Sequence, residues 1–249
     1  MARFILFSIV LTSLCSAVNL FAKEEYLLRF KEQDKPLKIV RRKHVDIFTT
    51  SWDYKRSQRV HDEKRSYLKH VNAEIDGILE VQLEEINATI KIDGKTLPKL
   101  PGPKIRRLAI TDQGKAFRDP KNELSRKQLD LSLSLPPKPV SVGATWTTTI
   151  GGTENYPQDL EIKFTLSEVK DRKGKKYGVI KGVCKDSSFF PERSCNSRLE
   201  ISSRSLFDIE RGYVIRQRSS STFITTFTRQ RKELPFQIAR FAKQSKVIR

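Results

Sequence analysis

Histidine and cysteine are scarce in this chain, with three of each among 249 residues. His44, His61 and His70 fall in one stretch, far from Cys184 and Cys195. Imidazole and thiolate therefore do not meet at metal-ligand spacing. His61-Asp62-Glu63 with His70 is the nearest imitation of a metal site. On a strand, residues 61 and 63 share a face that excludes 70, so a charged solvent-facing strand is the better reading. A G-x-S-x-G elbow, an H-E-x-x-H pair, a phosphate-binding glycine loop and a dinucleotide fingerprint are also missing. No catalytic residue, metal or cofactor is implied, and the chain is expected not to be an enzyme.

Long apolar runs are lacking after the first 22 residues. Residues 1–22, MARFILFSIVLTSLCSAVNLFA, place a basic residue, Arg3, before an apolar run over 4–14, and small residues follow. That order is the pattern of an export signal, and the run is short for a bilayer span. Cleavage is expected after Ala17 or after Ala22, with a periplasmic or extracellular destination. Lipidation of Cys15 is the alternative, disfavoured because Leu14 stands where a small residue is wanted. An exported chain with Cys184 and Cys195 left over is expected to pair them as a disulfide, in preference to a metal pair or a nucleophile.

Positive charge is abundant. The formal net charge is +19, and it drops by one with the loss of Arg3. Such a balance favours anionic partners: lipid headgroups, an anionic polymer or an acidic envelope protein. Nucleic acid is not expected, because no recognition motif is visible and export separates the chain from it.

Alternating apolar residues dominate the pattern. Leu129, Leu131, Leu133 and Leu135 alternate with polar residues, so a half-buried strand is expected there. Pro136, Pro137 and Pro139 stop it. Val45, Ile47 and Thr49 share a strand face. Residues 51–75 are charged and place Val60, Lys64, Tyr67, Leu68 and Val71 partly at helical spacing; a long solvent-facing strand is preferred to a helix, since Asp76-Gly77 then supplies a hairpin turn. Leu79, Val81 and Leu83 alternate, then Ile86, Ala88, Ile90 and Ile92 continue with opposite parity; a β-bulge at Glu84-Glu85 explains the slip. Asp119-Pro120 opens a short helix to about residue 128. Trp146 is read as a core plug, and Gly143 as a turn residue.

The second half repeats the plan. LAITDQGKAFR and LFDIERGYVIR both read as strand, acidic residue, glycine, strand, with Gly114 and Gly212 in equivalent places. The expected fold is mainly β: two related antiparallel β units forming a curved sheet or half-barrel, with one short linking helix. The boundaries are a signal at 1–22, a first unit at 23–118, a linker at 119–135, a second unit at 136–234 and a basic tail at 235–249.

The segment Leu135-Pro136, Pro139-Val140, Val142-Gly143 and Trp146, with the later LFDIERGYVIR hairpin, resembles an uncharacterised family of exported bacterial β-rich proteins. Its pattern is Leu-Pro-x-x-Pro-Val-x-x-Gly-x-x-Trp, often with an acid where Ala144 stands. The resemblance implies a two-unit β architecture in a cell-envelope setting, and no activity. The curved sheet of periplasmic lipoprotein carriers is a looser, fold-level analogy.

Two regions are candidates for contact. Phe189 and Phe190 lie inside the segment that the Cys184–Cys195 bridge would close; they anchor a partner or membrane surface, or fold back onto the sheet. The stretch 211–249 carries ten Lys or Arg against Glu233 alone. Arg229, Arg231, Lys232, Arg240, Lys243 and Lys246 there form a basic amphipathic contact segment, or else a solvated strand face and frayed tail. The expected function is that of an exported envelope protein binding an anionic or amphipathic ligand. The alternative is a structural or assembly component docked on another envelope protein.

Overall fold

The computed structural model of the chain describes residues 23–50, 53, 55–73, 77–98, 105–115, 133–150, 158–190, 195–229 and 232–248. The expected signal (1–22) and linking helix (120–128) lie outside the described residues. The described chain is built of antiparallel strands. In order they are β1 (Glu25–Tyr26), β2 (Leu37–Thr50), β3 (Arg56–Ala73), β4 (Ile78–Ile92), β5 (Lys95–Thr96), β6 (Ile105–Thr111) and β7 (Val140–Ser141). There follow β8 (Thr145–Ile150), β9 (Leu160–Arg172), β10 (Lys175–Phe190), β11 (Cys195–Asp208), β12 (Tyr213–Arg229) and β13 (Lys232–Ile248). β1 pairs with β7. The other eleven form one sheet in the order β5-β4-β3-β2-β13-β12-β11-β10-β9-β8, with β6 also on β4. The margins, β8 on one side and β5 with β6 on the other, do not pair with each other, so the sheet is not a closed barrel.

The long strands follow from the alternation. In β9, Leu160, Ile162, Phe164 and Leu166 are buried while Glu161 and Lys163 are exposed. In β4 the register against β3 shifts between Ser66 and Tyr67: Ser66 faces Asn87 and Tyr67 faces Glu85. Ile86 is therefore the extra residue of a bulge, one position from the expected slip, and it is half exposed. The charged stretch in 51–75 forms a strand, β3, over 18 residues.

Three expectations are corrected. Residues 133–136 are not a strand; Leu133, Ser134, Leu135 and Pro136 are buried in succession, covered on both sides instead of one. The basic C-terminal stretch is strand and not a tail, as its strand-face alternative had it: within it β13 lies between β12 and β2 and joins the two halves of the sheet. Cys184 and Cys195 are free buried thiols, not a disulfide. Cys184 lies opposite Ile201 and Cys195 opposite Phe190, so six ladder positions separate them. At ~3.3 Å per residue that is about 20 Å, whereas a disulfide needs Cα atoms within about 7 Å.

The sheet is curled, and residues 28–33 hold the curl. The Phe30 amide donates to the Asp112 carbonyl at 2.7 Å, and the next amide, Lys31, donates to the Gly212 carbonyl at 3.1 Å. Asp112 follows β6 and Gly212 precedes β12, five strand spacings away. In a flat sheet that separation is about 24 Å. Two successive amides bring the carbonyls within about 10 Å of each other. The sheet must therefore bend around this strap. Its inner face carries Phe207, whose ring meets Phe30 edge-on at 5.5 Å.

The two glycines singled out by the internal repeat serve this closure. Both have positive φ, +83° at Gly114 and +66° at Gly212. A Cβ at 114 would come within 2.5 Å of the Phe30 ring and 2.6 Å of the Leu133 carbonyl oxygen. One at 212 would come within 2.7 Å of the Arg29 carbonyl oxygen. Arg29 fastens the strap further. It pairs with Asp112 at 2.8 Å and donates to the carbonyls of Leu28, Pro136 and Pro137.

Candidate functional site

Partners across an antiparallel ladder point to the same face, so the register assigns inner and outer positions. From β9 to β11 the inner positions form a sealed core: Leu160, Ile162, Phe164, Leu166, Ile180, Cys184, Leu199, Ile201 and Phe207, with Leu28, Leu133 and Leu135 laid over it. Trp146 plugs this side as expected, stacked 5.9 Å from Phe164 with its indole N–H on the Ser134 carbonyl. Burial pushes the Cys184 thiol pKa up, helped by Asp186 and Glu161, so that thiol is less reactive than a free one.

On β13, β2, β3 and β4 the inner face is different. Ile47, Ile90 and Phe241 are only part-buried there, and Ile92 is 36% exposed. Between them the inner parity carries Lys243 on β13, Arg41 and Lys43 on β2, Glu63, Arg65 and Lys69 on β3, and Glu85 on β4. With Arg59, opposite Ile47 on β3, that is six cations against two carboxylates. Arg65 takes both acids: it bonds Glu63 through Nε and Glu85 at 2.7 Å through Nη1.

Of the other inner cations, Arg41 and Lys69 are the two that lie over aromatic rings. Neither makes an ion pair among the described residues. The Arg41 guanidinium lies 5.5 Å from the centroid of the buried Tyr67 ring, and its Nε is buried without a hydrogen-bond partner. Lys69 follows Tyr67 on the same face of β3, opposite Leu37 and Leu83. Its ammonium sits 5.9 Å from the centroid of the Phe30 ring, under the strap. Desolvation, with Arg41 nearby, pushes the Lys69 pKa down to about 8. Two cations thus lie over two aromatic rings on one face, Arg41 over Tyr67 and Lys69 over Phe30, with no ion pair to either among the described residues.

The residues expected to make contact are dispersed. Arg240 and Lys246 lie at outer positions and Lys243 at an inner one, because a strand sends alternate side chains to opposite faces. Arg240 stacks over Phe48 at 5.7 Å. Lys246 lines an outer groove of about 430 Å³ with Arg172, Tyr177, Leu206, Ile215, Val247 and Ile248. Arg229 and Lys232 face each other at the β12–β13 turn, and Arg231 lies outside the described residues. Phe189 is 57% exposed on the outer face of β10; Phe190 ends that strand opposite Cys195. The stretch read as a bridged loop is therefore strand up to its turn.

Arg41 and Lys69 were not singled out from the sequence. Their signal was there: Ile39, Val45 and Ile47 define an apolar parity on β2, and Arg41 and Lys43 interrupt it. His61 and Glu63 do share a face that excludes His70, as strand geometry requires.

No family model and no curated protein matches the chain. Among solved structures, one reported for lipid–protein interactions in lipovitellin is similar, with a TM-score of 0.54 and 10% identity. The match covers 88% of this chain and 26% of that one, so the chain spans about a quarter of that protein's length. At this identity the likeness shows the fold alone: a large, open, antiparallel β sheet.

Proposed function

We propose that this protein is a non-enzymatic, exported cell-envelope component that holds an amphipathic lipid against the inner face of its curled sheet. The observation that carries the reading is the part-open end of that face on β2, β3, β4 and β13, beyond the small core that Val71, Leu79, Val81 and Ile110 form under Phe30. Ile47, Ile90, Ile92 and Phe241 stay part-exposed inside the curl, whereas the β9–β11 half is sealed. An apolar surface kept inside a bend, beside fixed polar groups, is the usual form of a small-ligand site. The fold-level likeness to lipovitellin, a protein studied for its contacts with lipid, supports the same reading. No helix among the described residues is long and apolar enough to cross a membrane.

The test is mass spectrometry of the protein isolated gently from its own envelope fraction. A stoichiometric acyl lipid is expected, and exchanging Phe241 and Ile47 together for serine should remove it. A stable protein complex carrying no lipid would replace this reading with that of an assembly component.

A further inference from the structure

We propose that Arg41 and Lys69 seat the phosphate headgroup of the bound lipid, so that the part-open side of the sheet selects lipids with a phosphate monoester headgroup over zwitterionic and neutral lipids. The inference rests on the lipid-binding reading above and gives it a headgroup. The geometry supplies three independent reasons. Arg41 keeps a buried Nε–H with no acceptor, a donor left open at an inner position. Lys69 holds its ammonium against the Phe30 ring and makes no ion pair among the described residues. The two nearest acids, Glu63 and Glu85, are both committed to Arg65. A part-buried charge without a counterion is costly, and an anionic ligand that completes it removes that cost.

The seat also has a direction. Lys69 lies at the strap end of β3, between Leu37 and Leu83. Lys43, Val45 and Ile47 follow in order on β2 toward the far end, with Lys243, Phe241 and Ala239 facing them on β13. A headgroup at Arg41 and Lys69 places the acyl chain along Val45, Ile47 and Phe241, toward Ile90 and Ile92 on β4. Phosphate fits better than carboxylate. Its oxygens point in several directions and reach donors on two strands, while a carboxylate presents two oxygens in one plane.

The experiment is calorimetric titration of the full chain with four probes: lysophosphatidic acid, lysophosphatidylcholine, the matching free fatty acid and inorganic phosphate. Lysophosphatidic acid should bind tightest. Arg41→Gln and Lys69→Met should each weaken it roughly tenfold or more, the loss expected for a charge-assisted contact. The same variants should leave lysophosphatidylcholine within about twofold, and Arg41→Lys should restore part of the binding. Arg42→Gln, one residue away at an outer position, serves as the control for general charge loss. Thermal melting of each variant shows that it is folded.

Loss of binding by Arg42→Gln equal to that by Arg41→Gln would overturn the proposal. So would lysophosphatidic acid and lysophosphatidylcholine binding equally, which leaves the lipid reading standing without its headgroup. Fatty acid binding as tightly as the phosphate probe would overturn the choice of phosphate. Inorganic phosphate binding as tightly as the lipid would reduce the seat to an anion site. Binding of no acyl probe at all would remove the lipid reading itself.

Discussion

β9 and β3 are long antiparallel strands of the same sheet, and they are packed in opposite ways. On β9 every inner residue from Leu160 to Leu166 is buried, and the outer residues between them are exposed or partly so. On β3 only Tyr67 and Val71 are buried, and charged residues occupy both faces. Neither backbone pairing nor strand length accounts for the contrast. It arises from what lies on the inner face: the strap and residues 133–136 cover β9 to β11, while the inner face of β2, β3 and β13 is part-open. One half is built for stability, and the other keeps surface in reserve.

Substitutions should separate the halves. The largest effect is expected for Phe207→Ala, at the fully buried contact with Phe30, with a loss of about 4 kcal/mol in urea unfolding. Ile162→Ala should cost about 3 kcal/mol, and Ile47→Ala, the matching change in the open half, only about 1 kcal/mol. Equal costs would mean that the open half is filled in solution and the comparison fails. Gly212→Ala should lose about 2 kcal/mol, since it sets a side chain at positive φ against the Arg29 carbonyl. The same loss at Gly114 would place both turns on one strap.

A smaller effect, of opposite sign, is expected at Lys69. Replacing it by methionine removes a desolvated charge and should raise stability at pH 7 by about 1 kcal/mol. Its proton leaves the folded chain near pH 8 but stays on the unfolded chain up to about 10.5. Unfolding therefore takes up a proton between those values, and wild-type stability gains with rising pH across that window. The gain should vanish in Lys69→Met, as read from denaturant midpoints at pH 7 and pH 10. The smallest effect concerns the thiols: reductant should leave the melting temperature unchanged, and both cysteines should alkylate under denaturing, non-reducing conditions.

The sealed half was legible because burial on one face writes a period of two: Leu160, Ile162, Phe164 and Leu166 alternate without exception. The bulge beside Glu85 could be found because a slip in parity has few other causes. β13 was missed for the converse reason. Its cations fall on both faces and so do its apolar residues, Ala239, Phe241 and Val247 on one and Ile238, Ala242 and Ile248 on the other, so the strand joining the halves carries no clean alternation. The cysteine pair was misjudged because counting thiols says nothing about register, and six ladder positions decide the matter. Arg41 and Lys69 come together only through the pairing of β2 with β3 and the return of the strap, which no local spacing encodes.

The position of β13 has a consequence for the order of folding. β2 can find its neighbour on that side only after residue 232 has been made, and the strap at 28–33 waits for the turn at 208–212. Early and late portions of the polypeptide thus complete each other, which predicts slow acquisition of structure. A nascent chain short of its final seventeen-residue strand would hold two separate ribbons and no common curl.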